Sequence, residues 1–194
     1  MEPFTFDLTP IHSATVHGYR GLMGPFGAVT VCAEVTKQSG CRNQVVVDGD
    51  RLPRAVFTSG REGGRPALPG GRLTLDGTEV ALDLRGEGFL KASRWLDVRC
   101  GERSYVYRST GPSGPGRDVT LRRPGAVVTI RRAVGHLGIE RTGTAEGSVD
   151  ATDLAVALVL EPADTSALTR AGTLLDASIG ILGFRDTRGD GRTV

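Results

Sequence analysis

Ser148-Val-Asp-Ala-Thr-Asp-Leu-Ala-Val-Ala-Leu-Val-Leu-Glu161 is the stretch on which the reading of this 194-residue chain turns. From Leu154 to Leu160 it offers no polar face to water. Asp150 or Thr152 can cap a helix here and Pro162 opposes continuation, which limits it to about ten residues, or roughly 15 Å. That is half the hydrocarbon core of a bilayer, so the segment is expected to be buried in protein. Seven apolar residues also suit an inner strand, and periodicity alone leaves both readings open, although Ala155 and Ala157 favour helix.

The chain before this segment reads as successive β-hairpins. Val45-Val-Val-Asp-Gly49, Leu73-Thr-Leu-Asp-Gly-Thr-Glu-Val-Ala-Leu-Asp-Leu84 and Trp95-Leu-Asp-Val-Arg-Cys-Gly-Glu-Arg-Ser-Tyr-Val-Tyr107 each place a glycine turn beside alternating or β-branched residues. A two-residue Asp76-Gly77 turn sets Leu75 opposite Thr78 and Leu73 opposite Val80. The pair Asp118–Arg122 and Val127–Arg131, joined through Pro124-Gly125, gives the firmest register. Val119 meets Ile130 and Leu121 meets Val128 on one face, while Asp118 meets Arg131 and Thr120 meets Thr129 on the other. A slip of one residue would destroy that agreement.

The expected architecture is therefore mainly β: an antiparallel barrel or sandwich with a buried apolar helix near the C-terminus and a further short helix. Residues 1–161 form the β domain with its closing helix. Residues 162–184 form an amphipathic extension, with Leu168, Ala171, Leu175 and Ile179 near helical spacing after Asp164 or Thr165, and 185–194 form a flexible tail. Three cysteines without C-x-x-C spacing disfavour a disulfide framework or a structural zinc site. The N-terminal residues lack a basic region followed by an apolar one, so the expected location is cytoplasmic.

Charge position says more than the net +2. Between Arg85 and Arg141 twelve Arg/Lys residues stand against five acids, a balance of +7 that can create a basic face. Arg122, Arg123, Arg131 and Arg132 are the candidate ligand-binding residues of that face, with Asp118 as their internal partner. An anionic membrane surface or an acidic protein suits them. Nucleic acid does not, because few aromatic residues accompany the charges.

No catalytic residues and no metal ligands stand out, and no cofactor is expected. G-x-S-x-G, H-E-x-x-H and P-loop patterns are missing, and His12, His17 and His136 have no ligand spacing. Three functions remain. The first is a non-catalytic binding or scaffold domain that recognises an anionic lipid, a small ligand or an acidic partner. The second is a subunit of a homo- or hetero-oligomeric assembly, docking on another subunit or self-associating through residues 164–179. The third is an enzyme whose site gathers dispersed residues such as His17, Glu34, Asp97 or Tyr105 in a barrel cavity.

The order of elements over roughly residues 4–161, ending in Ser148–Glu161, resembles the tubby-like superfamily, which includes LURP-one-related and scramblase-like proteins. The resemblance implies a closed β-barrel around a central C-terminal helix. It also implies phosphoinositide or membrane-surface association rather than enzymatic turnover.

Overall fold

A computed structural model describes residues 2–12, 17–34, 43–59, 66–86, 94–110, 115–136 and 138–168. The strands are β1 (Phe4–His12), β2 (His17–Leu22), β3 (Ala28–Glu34), β4 (Asn43–Gly49), β5 (Ala55–Ser59) and β6 (Arg72–Leu75). They continue with β7 (Thr78–Arg85), β8 (Trp95–Cys100), β9 (Arg103–Thr110), β10 (Asp118–Arg123), β11 (Ala126–Gly135) and β12 (Gly138–Gly147). Helix α1 follows at Ala151–Leu160.

Every strand pairs antiparallel with its sequence neighbours, and β1 pairs with β12 to close a twelve-stranded barrel. Closure leaves no sheet edge with unpaired backbone groups. The sandwich reading gives way to the barrel for that reason. The expected hairpin registers recur in the structure: Leu73 faces Val80 and Leu75 faces Thr78. Asp118 faces Arg131, Val119 faces Ile130, Thr120 faces Thr129 and Leu121 faces Val128. Gly125 turns between β10 and β11 at φ 77°, which a glycine after proline adopts without strain.

A barrel of eight strands is just filled by its own side chains, whereas twelve strands enclose a wider space that needs other contents. Here α1 supplies them. From Asp153 to Leu160 every residue of the helix is buried. The helix touches β4 and β5 on one wall and β10 and β11 on the opposite wall. An all-round apolar sequence is what such a position demands, since no side of the helix meets solvent. The inner-strand alternative for 154–160 is thereby replaced by the helix. Phe57, Leu73, Leu96, Val98, Tyr107 and Ile130 are among the barrel-wall residues packed around it. On β12, Gly143 leaves room for the Phe6 ring, whose Cζ would stand 2.0 Å from an added Cβ.

Beyond the helix, Pro162, Ala163, Thr165, Ala167 and Leu168 are buried, and Ala67 bridges Asp164 in parallel. Asp164 accepts from the Ser166 amide at 2.9 Å, at the start of a 3-10 turn over Ser166–Leu168. The rest of the expected 164–179 helix and the 185–194 tail lie outside the described residues.

Truncating the plug removes packing that the closed wall cannot recover by collapse. Leu158→Ala is expected to lower stability by about 2–5 kcal/mol in urea or guanidinium unfolding, whereas Leu22→Ala, at a site 71% exposed, changes it by less than about 0.5 kcal/mol.

Candidate functional site

A helix inside a barrel brings its unpaired end groups with it, and the wall must meet them. At the start of α1, the Asp150 carboxylate accepts from the amides of Thr152 and Asp153 at 3.0 and 3.1 Å. Asp153 returns the bond, its Oδ2 accepting from the Asp150 amide at 2.9 Å. Arg123, at the end of β10, grips both Asp153 oxygens at 2.8 and 2.7 Å and donates to the Ser148 carbonyl at 2.7 Å. Arg103 donates to Asp150 at 2.6 Å. Nearby, burial raises the Tyr105 phenol to about 12.

The opposite end is more unusual. Arg132 and Arg141 are cross-strand partners on β11 and β12, and the Arg132 amide donates to the Arg117 carbonyl at 3.0 Å. The three therefore form one row on the inner wall, and all are buried. Arg117 donates through Nη1 to the Ala163 carbonyl at 3.1 Å and through Nη2 to the Glu161 carbonyl at 3.2 Å. Arg132 Nη2 reaches the Glu161 carbonyl at 2.7 Å, and the Tyr107 hydroxyl donates to the Leu160 carbonyl at 3.0 Å. Cationic donors thus cap the negative end of the helix.

Glu161 is the acid of this cluster, receiving Arg132 Nε on one oxygen and Arg141 Nε at 3.1 Å on the other. Burial alone would raise its carboxyl, but Arg132 and then Arg141 outweigh that and hold it below the usual carboxylate range. Burial pushes Arg117 and Arg141 downward, and raises the Tyr107 phenol to about 12. The Arg141 guanidinium lies 3.3 Å from the centre of the Tyr19 ring and donates to the Ile139 carbonyl at 2.6 Å.

Among the described residues, three guanidiniums here face one carboxylate, and the helix end adds roughly half a negative charge. More than one positive charge remains uncompensated. Arg132 is 2% exposed, yet its Nη1 has no hydrogen-bond partner. Both Arg132 and Arg141 line a partly open cavity of about 350 Å³ with Pro10, His17, Tyr19, Ile139 and Pro162. Ala33 and Pro66 also border it.

The four arginines expected to form one outer face divide. Arg122 is exposed. Arg131 is exposed and bonded to Asp118 at 3.0 and 2.9 Å, the partner anticipated from the register. Arg123 is turned to the helix cap, and Arg132 points into the barrel, so neither adds to an outer patch. Period-two alternation carried the missing signal: Val128 and Ile130 face inward, and Arg132 is the next residue on that face, as Arg117 is the one before Val119 and Leu121. Arg117, Arg141 and Glu161 were the members that sequence reasoning did not mark as site residues.

Of the residues named for a barrel-cavity enzyme, His17, Asp97 and Tyr105 are not brought together. His17 borders the cavity at the C-terminal end of α1, whereas Tyr105 lies beside Asp153 at its start. Asp97 is occupied on β8, receiving the Trp95 indole N–H at 2.8 Å, and the side chain of Glu34 lies outside what is described. His12 and His17 are cross-strand partners on β1 and β2. Among the described residues no group of three or more His, Cys, Asp or Glu could hold a metal ion. None of the described helices is long and apolar enough to cross a membrane. No family model, curated protein or solved structure matches the chain.

Because Glu161 is held below its unfolded value, it contributes stability above that value, near pH 4, and the contribution fades as pH falls through the lower folded value. Glu161→Gln is expected to cost about 3–5 kcal/mol at pH 7 by stranding buried arginines, and to flatten the acid limb of a stability–pH profile measured by chemical unfolding.

Proposed function

We propose that this barrel is a non-catalytic binding module that takes a small anionic ligand at the mouth beside the C-terminal end of α1. The observation that carries the reading is the buried row Arg117–Arg132–Arg141, which outnumbers its one carboxylate next to an accessible cavity. Such a cluster is stabilised by a further negative charge, and Arg132 Nη1 supplies a donor that nothing in the described protein uses. Catalysis has less support, because α1 occupies the barrel interior where a deep polar cavity would lie.

The outer-face reading also loses support. Of the four arginines proposed for it, Arg122 remains as an exposed cation without an ion pair to a described residue, and Arg131 is engaged with Asp118 in solvent. Kinship with the tubby-like proteins stays a proposal about ancestry, supported by the plan of a closed barrel around a C-terminal helix. It does not bring a membrane site with it.

Calorimetric titration of the whole chain with sulfate, acetate and octanoate tests the reading against vesicle sedimentation. At least one soluble anion is expected to bind with one-to-one stoichiometry, and Arg122→Glu is expected to leave that binding unchanged. Silence toward all three anions overturns the pocket. Sedimentation with phosphatidylserine vesicles that Arg122→Glu abolishes, without any binding of soluble anions, restores the outer face.

A further inference from the structure

Resting on that reading, we infer that the ligand is a monocarboxylate with a short apolar body, its head at Arg132 and its body among the prolines of the barrel mouth. Three features of the cavity define this chemistry.

The first is charge. The described cluster has three guanidiniums, one carboxylate and the carbonyl end of a helix, so between one and two further negative charges balance it and the ligand's head is anionic.

The second is the supply of donors. Arg132 commits Nε and Nη2 to Glu161 and keeps Nη1 unpartnered. Arg141, in register beside it, is fixed by the Tyr19 ring, the Ile139 carbonyl and Glu161. Among the described residues, the polar side chains on the cavity apart from these arginines are His17 and Tyr19, with no serine, threonine, asparagine or lysine. A carboxylate has two oxygens to satisfy, whereas a phosphate group presents three and carries more charge.

The third is the rest of the lining. Pro10, Ala33, Pro66, Ile139 and Pro162 surround the charged floor with rigid or aliphatic groups. A hydrated inorganic anion gains nothing from them, but a hydrocarbon body does. At the roughly 30 Å³ that a water molecule takes in the liquid, about 350 Å³ holds about a dozen non-hydrogen atoms. Octanoate has that size. The register explains why these residues meet: Pro10 faces Tyr19, Tyr19 faces Val31, and Ala33 lies two residues further along the same face of β3.

The test is a series of probes on the intact protein, read by thermal shift and calorimetry: acetate, octanoate, octanol, octyl phosphate and sulfate. Octanoate is expected to bind about tenfold or more tighter than acetate, since each buried methylene adds to affinity, and octanol and octyl phosphate are expected to bind at least about tenfold more weakly than octanoate. Ala33→Leu, which fills the mouth without touching an arginine, is expected to remove the advantage of octanoate over acetate. Ile139→Trp repeats that test from the other wall, keeping the carbonyl that Arg141 uses, should Ala33→Leu fail to fold. Acetate or sulfate binding as tightly as octanoate overturns the apolar body and leaves the anion pocket standing. Tighter binding of octyl phosphate overturns the carboxylate. Octanol matching octanoate, or no binding by any probe, overturns both this inference and the pocket itself.

Discussion

The structure depends on one constraint: a helix enclosed by a β-barrel cannot use water to satisfy its end groups. Each buried N–H or C=O left alone costs a sizeable fraction of a small domain's net stability. The wall answers with arginines at both ends, Arg123 and Arg103 on the carboxylates of the N-terminal cap, Arg117 and Arg132 on the last carbonyls. Guanidinium suits the task because it remains charged and offers five donors in a planar fork. Three arginines at the C-terminal end then require a counter-charge, and Glu161, the residue directly after α1, provides one.

Strand number and helix are coupled in the same way. Twelve strands make an interior that side chains from the wall do not fill, and an apolar helix without a barrel would expose every face. Each part removes the other's liability. The arrangement also confines chemistry to the mouths, since the middle of the barrel is packed. Of the two mouths, the one at the start of α1 is closed by paired charges, with Arg123 and Arg103 set against Asp153 and Asp150. Among the described residues, the other keeps positive charge in excess beside open space.

Much of the fold was legible because its information is local. Asp76-Gly77 and Pro124-Gly125 set their hairpins, and side-chain pairing across β10 and β11 fixed the register without help from distant residues. Leu154–Leu160 declared its burial by composition alone. Closure of β1 on β12 was only one option, because Phe4 and Ala145 meet through no turn that a sequence can display. The site was less legible. Arginine usually marks a surface, and a run such as Arg131-Arg132 invites a single interpretation, whereas alternation sends the first outward and the second inward. Reading Glu161 required knowing that the end of α1 meets the barrel wall at Arg132 and Arg141.

The pairing of β1 with β12 has a consequence for how the chain is made. The first strand leaves the ribosome long before its partner, and translation at about 5–20 residues per second separates them by several seconds or more. In that interval the nascent meander is an open sheet whose apolar concave side, Leu8, Val31, Val47, Phe57 and Leu73 among it, has no helix to cover it. Its two lateral strands are unpaired at the same time. Closing of the barrel thus waits for β12 and α1, and until they emerge holding chaperones have a large apolar surface to grasp.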